Sequence, residues 1–319
     1  MKLQPPKLTQ VAESIYAYVQ PDGGWCLNNA GIIVGPAAAD PAGSDNGPDG
    51  TVVLIDTAAT ERRTRALAAA VAQVAPSGPT HLVNTHFHGD HTFGNSYFKP
   101  RAAIIAHEVC AAEQQEAGLG LRGLWPDVDW GQTPVTGPDI TYSDTLTLNF
   151  GGRRICLQHP RSAHTVGDTV AWLPDDGVLF AGDIVWSQTT PFCLMGSVTG
   201  SLAEIARLRA LKPLVVVPGH GPVGGAELLD STESYLSWLL DVAAAGIRAG
   251  RSPLKAAQDA DLGEFAALGD PERIVGNLYR AYADLASAAD GAVGVAAVDM
   301  AQAFTEMVTF NGGLPPCHA

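Results

Sequence analysis

Basic residues are scarce in this chain. Its 319 residues carry 19 Lys and Arg against 33 Asp and Glu, a formal net charge of −14. A surface of that sign repels phosphate backbones and anionic lipid, which sets aside broad nucleic-acid binding and a membrane-surface role and leaves only local basic patches. Cysteine is also sparse. Cys26, Cys110, Cys156, Cys193 and Cys317 are odd in number, scattered and never at C-x-x-C spacing, which argues against a disulfide framework and against a thiolate metal site. No stretch approaches the length of a membrane span, and the opening MKLQPPKLTQVAESIYAYV lacks the unbroken apolar core and small-residue cleavage site of a secretory signal. A cytoplasmic protein is expected. No G-x-S-x-G elbow is present to hold a serine nucleophile. What the chain does have is 46% hydrophobic residues at a mean hydropathy of +0.08, enough to bury a core unaided.

The pattern along the chain is a mixed one of strands and helices. Ser14–Gln20 and Trp25–Gly35 read as strands, Pro36–Gly50 as an exposed, Pro- and Gly-rich hairpin loop, and Thr51–Asp56 as a β-branched strand buried on both faces. Thr60 is placed to cap a helix from Glu61 to about Val74, and His81–Thr85 is the next buried strand. A strand over Ala102–Ala106 and a helix near Glu108–Glu116 precede an irregular segment, Gly118–Pro138. Further strands follow at Thr145–Phe150, Arg154–Gln158, Thr169–Leu173, Val178–Ala181 and Leu214–Val217, with a helix from Ser201 to about Leu211. From Glu227 to about Val308 the pattern is helical. With no linker or countable repeat, one domain over 1–319 is expected, an α/β body to about 224 and a helical extension over about 225–312.

The chemistry concentrates in Thr85–Asn95, THFHGDHTFGN. His86, His88, Asp90 and His91 lie just past a buried strand in a Gly-containing turn, where side chains converge. Imidazole and carboxylate suit zinc and neighbouring metals, and four such residues within six positions have no simple structural use. His164 lies in SAHTVGD, Asp183 ends VLFAGD and His220 ends LVVVPGH, each where a strand gives way to a turn. Taken singly these would be capping or hydrogen-bonded residues. Their recurrence points to one site along one edge of the sheets.

In order and context, Asp56, His86-x-His88-x-Asp90-His91, His164, Asp183 and His220 resemble the motifs of the metallo-β-lactamase superfamily, over roughly Ile15 to Pro222. The resemblance implies an α+β fold, a four-layer αββα sandwich, with a dinuclear site at its edge. It implies that His86, His88 and His164 hold one Zn2+, that Asp90, His91 and His220 hold the other, and that Asp183 bridges them; iron or manganese would also suit such donors. Aspartate at 183 is similar to the glyoxalase II type of site. Asp56 is expected to fix the turn around the histidines. Metal-acidified water would attack an acyl carbonyl, with Asp90 orienting that water and handling its proton.

The superfamily's metal site serves thioesters, lactones, lactams and phosphodiesters alike, so the substrate must be read elsewhere. Trp186, Phe192 and Met195, in the apolar loop after Asp183, are expected with Trp125 and Trp130 to wall a pocket for a bulky substrate; the alternative is a small satellite core beneath these loops. Arg273 and Arg280, seven apart, read as a solvated helix face, with a grip on glutathione as the alternative. GGWCLNNAGIIVG, LIDTAATERRTRAL, GLRGLWPDVDWG and TPFCLMGSVTGS resemble the thioesterase/cyclase branch of bacterial aromatic polyketide biosynthesis, which implies an acyl thioester substrate and an acyl carrier protein as partner. A carrier is acidic, so docking requires a local patch at Arg62-Arg63-x-Arg65 or Arg207-x-Arg209-x-x-Lys212. Competing readings are a hydroxyacyl-glutathione hydrolase, a lactonase, a β-lactamase-like hydrolase and, from another class, a mononuclear iron persulfide dioxygenase, which would leave His91, Asp183 and His220 incompletely used.

Overall fold

All four residues of the strand Val52–Ile55 are buried, and they divide between two cores: Val53 and Ile55 face one, Val52 and Leu54 the other. Side chains alternate across a strand, so a continuous apolar run means a sheet covered on both faces. The computed structural model describes residues 4–35, 50–150, 152–290 and 294–319. The loop expected at Pro36–Gly50 lies, but for Gly50, outside the described residues.

The first sheet contains, in spatial as in chain order, β1 (Lys7–Ala12), β2 (Ile15–Val19), β3 (Ala30–Val34), β4 (Val52–Ile55), β5 (His81–Val83), β6 (Ala103–His107) and β7 (Ile140–Tyr142). It is antiparallel from β1 to β4 and parallel from β4 to β7. β8 (Thr145–Phe150), β9 (Arg153–Gln158), β10 (Val170–Leu173), β11 (Val178–Trp186) and β12 (Val215–His220) form the second sheet in the order β12-β11-β10-β9-β8, with only β11 and β12 parallel. Ile33, Ile55, Val83 and Ile105 meet Ile155, Leu157, Leu173 and Phe180 between the sheets.

Helices complete the outer layers. α1 (Glu61–Val74) starts where expected, with the Thr60 hydroxyl accepting from Arg63 N, and lays Leu67, Ala70 and Val71 on the outer face of the first sheet. α2 (Gly89–Thr92) and α3 (Asn95–Phe98) are single turns, and α4 (Glu108–Ala117) follows β6. α5 (Val198–Ala210), α6 (Glu227–Arg248), α7 (Pro253–Asp259), α8 (Arg273–Asp290) and α9 (Met300–Asn311) pack with the outer face of the second sheet into one large cluster. The result is the expected α+β sandwich with a C-terminal helical region.

Two expected elements differ. Residues 25–29 are not strand, because buried Asn28 and Asn29 tie that segment to other loops: Asn29 Nδ2 donates to the carbonyls of Pro218 and Gly221, and Asn28 Nδ2 to that of Thr57. β11 runs beyond Ala181 to Trp186, so Asp183 lies within a strand, not at its end. β1 and β7, both short and largely exposed, carry no apolar run by which the sequence reveals them.

Candidate metal centre

The parallel pairs β4–β5 and β11–β12 bring four motif-bearing segments to the same edge. Two groups of donors result: His86, His88, His164 and Asp183 in one, Asp90, His91 and His220 in the other, each with ligand atoms within 4.8 Å of one another. Asp183 lies between them. Its Oδ1 is 3.2 Å from His91 Nε2, and its Oδ2 is 3.4, 3.5 and 3.8 Å from the Nε2 atoms of His220, His164 and His86. Asp90 Oδ2 is 3.3 Å from His220 Nε2.

The outward nitrogens of four rings are already engaged. His91 Nδ1 donates to Asp56 Oδ2 at 2.8 Å, His220 Nδ1 to Gly23 O at 3.0 Å and His164 Nδ1 to Phe192 O; His86 Nδ1 meets Thr85 Oγ1 at 3.0 Å. Those bonds fix the ring orientations and leave the Nε2 atoms facing inward. His88 is turned the other way. Its Nε2 rests 3.1 Å from Met195 Sδ, and its Nδ1 lies 3.1 and 3.0 Å from His86 Nε2 and His164 Nε2. His91 Nε2 and Asp183 Oδ1 are buried without a hydrogen-bond partner. Convergent lone pairs and orphaned polar atoms in a buried site are what a cation would satisfy, so the residues fit a metal pair.

Asp56 sits behind this cluster in a left-handed backbone conformation, φ 61°. Its carboxylate accepts from Thr85 N and Thr85 Oγ1, both at 2.7 Å, as well as from His91. Through Thr85 it also positions His86. Asp56→Asn is therefore expected to keep the fold, since asparagine tolerates left-handed backbone, while metal affinity falls by about 10- to 100-fold. Competition with a chelator followed by elemental analysis checks this; unchanged affinity would remove Asp56 from the centre.

Charge differs between the groups. Burial depresses His86, His88 and His164, with neighbouring imidazoles adding to the effect, and His88 falls to about 3. Burial works against protonation of His220 and His91 too, but the carboxylates outweigh it. Asp183 and Asp90 lift His220 to about 9, and these two with Asp56 hold His91 well above the usual range. Asp90 and Asp183 are correspondingly held below the ordinary carboxylate range, in spite of burial, by those imidazoles.

A cavity of about 320 Å³ opens onto the donors. Trp186, Phe192 and Met195 line it, and Trp186 also stacks on His220 at 4.6 Å. Trp125 and Trp130 do not. They belong to a satellite core with Cys26 and Phe93, because their indole nitrogens are drawn to main-chain acceptors: Trp125 Nε1 donates to Pro315 O and Trp130 Nε1 to Trp125 O. Trp25, Phe87, Phe93 and Leu124 supply walls that the sequence reading missed. Arg273 and Arg280 are not a solvated face. Arg280 is buried on the carbonyls of Leu194 and Ala296. Arg273, 1% exposed, is held between the Trp25 and Trp186 rings at 4.4 and 4.7 Å and paired with Asp270 at 2.8 Å. A cation in the first turn of α8 opposes the helix dipole, the one sequence signal that marked it as unusual. His107 and His159 stack on each other at 3.7 Å and do not line the cavity.

The family profile described as "Metallo-beta-lactamase superfamily" matches residues 46–220, more than half of the chain. The chain belongs to the metallo-beta-lactamase superfamily. Members of this superfamily are metal-dependent hydrolases. Among the relatives, the metallo-beta-lactamase type 2 of Bacteroides fragilis is 24% identical over 244 residues, covering 73% of this chain and 86% of that protein. A hydroxyacylglutathione hydrolase of Methylococcus capsulatus is 30% identical over 132 residues, 41% of this chain and 43% of that one. The solved metallo-beta-lactamase from Pontibacter korlensis superposes with a TM-score of 0.56 at 22% identity, over 73% of this chain and 99% of that one, a likeness that shows the fold. No helix among the described residues is long and apolar enough to cross a membrane.

Proposed function

We propose that this superfamily member is a dinuclear zinc hydrolase acting on an apolar acyl thioester. The observation that carries the reading is a set of seven convergent donors, five of which (His88, Asp90, His164, Asp183 and His220) line a cavity whose other walls are largely aromatic and aliphatic. Five imidazoles and two carboxylates favour zinc over harder cations. When bound, a pair of such ions acidifies coordinated water toward neutrality and polarises an acyl carbonyl.

The chain's own residues supply the rest. His86, His88 and His164 would hold one ion, Asp90, His91 and His220 the other, and Asp183 reaches both groups. Asp90, on the cavity wall and 3.3 Å from His220, orients the attacking water and takes its proton. The aromatic walls keep bulk water from the carbonyl, which strengthens every charge interaction inside. A thiolate leaves without needing a proton, so no further acid is required. Arg273 is the one Lys or Arg among the described residues that line the cavity, and Asp270 and two indole faces already engage it. Its terminal nitrogens are taken by Asp270 and the Thr190 carbonyl and only its Nε is without a partner, which favours an apolar thioester over glutathione conjugates.

The finer reading, a polyketide thioesterase/cyclase fed by an acyl carrier protein, extends this proposal. Its docking patches are not free: Arg65 pairs with Glu61, Arg207 with Glu204, and Arg209 with Asp230 and Glu233. Lactam hydrolysis is the second reading, favoured by the alignment with the Bacteroides fragilis enzyme over 86% of its length. A panel of acyl-cysteamine thioesters, lactones and β-lactams, with metal counted on the same sample, tests both. Thioester kcat/KM is expected to exceed the others at least tenfold, with two zinc ions per chain. A β-lactam preference would replace the thioester reading, and one iron per chain would favour persulfide oxidation instead.

A further inference from the structure

Trp25, Leu124 and Phe304 wall the cavity at the donors and also wall a second cavity, of about 400 Å³. Trp125, Met300, Met307 and Leu314 close the far side, so the second cavity lies against α9 and the residues after it. Each space alone is within the range of a small-molecule site.

Two of the shared side chains, Trp25 and Phe304, differ in how firmly they are held. Trp25 is fixed: its Nε1 donates to Glu272 Oε1 at 2.6 Å, Arg273 lies over its ring, and the Trp125 and Phe192 rings approach at 5.4 Å. Phe304 is half-buried on α9, its ring 6.3 Å from that of Phe192, and a phenyl ring has no hydrogen bond to hold it in place. The polar groups around the second cavity are consumed internally. Trp125 Nε1 donates to Pro315 O, and the Thr305 hydroxyl donates to Ala301 O. A ligand there gains by burying hydrocarbon, not by hydrogen bonding.

We propose that the two cavities form one acyl-binding site, with the carbonyl at the metal donors, the chain passing between Trp25 and Phe304, and the distal hydrocarbon in the second cavity. The substrate class is then a medium- or long-chain acyl compound, not a short or strongly polar one. This rests on the hydrolase reading only for which end of the ligand reacts. Each methylene taken from water contributes up to about fourfold in affinity, so chain length should be read out steeply until the second cavity is full.

Calorimetric titration of the metal-loaded protein with N-ethyl decanamide and N-ethyl acetamide tests the site without turnover. The longer amide is expected to bind at least 100-fold more tightly. Thr305→Trp and, more mildly, Ala301→Leu enlarge side chains that line the second cavity from exposed positions on α9. Thr305→Trp is expected to cut that ratio at least tenfold. Equal binding of the two amides, or a ratio unmoved by both variants, overturns the continuous site. The matching acyl-cysteamine thioesters separate the two readings: tight decanamide binding without thioester turnover removes the hydrolase and leaves the acyl site standing, whereas turnover indifferent to chain length does the reverse.

Discussion

Asp183→Asn is expected to fold, to bind less metal than the parent chain and to lose on the order of 10³-fold in kcat, since polarisation by the metal pair is worth several kcal/mol. The side chain is isosteric, so packing is unchanged. What changes is charge: one carboxylate lies 3.2 to 3.8 Å from four imidazole nitrogens drawn from both donor groups. An amide also turns one oxygen into a donor aimed at those nitrogens. Gly219→Ala is the companion variant. A Cβ there would overlap Asp183 Oδ1 and the Asp183 main chain, so it should displace Asp183 without altering any donor. Elemental analysis, circular dichroism and thioester turnover on the same samples check the pair. Full activity in Asp183→Asn would show that the two groups act without a shared carboxylate.

That Asp183 and Gly219 belong together is invisible along the chain, because the parallel pairing of β11 and β12 brings them into contact across 36 residues of sequence. The donors from His86 to His91 and His220 are readable because they sit at or just past the end of an apolar strand, a local signal; His164, in the loop between β9 and β10, and Asp183, inside β11, are legible only by their likeness to the others. Helix α1 was readable for the same reason, with Thr60 and Glu61 at its start. The cavity walls were not. Trp25 and Glu272 meet across 247 residues of sequence, and nothing near Trp25 distinguishes a wall from a strand. Trp125 and Trp130 have the size and setting expected of walls for the cavity at the donors, yet their N–H groups find main-chain partners; Trp130 becomes core and Trp125 reaches only the second cavity, while the smaller Leu124 lines both. α5 starts at Val198, three residues before the Ser201 expected from the sequence. SVTGS holds several capping residues, and Ser197 prevails because its hydroxyl accepts from Gly200 N while Asp284 accepts from that hydroxyl and from Val198 N.

The metal-free protein is expected to take up zinc in two steps with different pH dependence. His86, His88 and His164 are depressed by burial and already neutral near pH 7, so metal entering that group displaces no proton. His91 and His220 are raised, His220 to about 9, by the carboxylates facing them, and each must lose a proton first. Affinity of the second group should therefore rise about 100-fold per pH unit below roughly pH 9, and less steeply above it as His220 titrates. The same groups set the stability of the metal-free fold. A raised histidine contributes stability that is complete below its unfolded value of about 6.5 and lost as pH rises through about 9, while the lowered Asp90 and Asp183 contribute above about pH 4 and lose that contribution in acid. Metal-free protein should accordingly weaken between pH 6.5 and 9, in the range where zinc binding to the second group strengthens. Zinc titrations against a competing chelator at pH 6, 7 and 8, with thermal melts of both forms, measure this. Two equivalents with the same pH slope would mean that the carboxylates do not divide the seven donors into a neutral group and a protonated one.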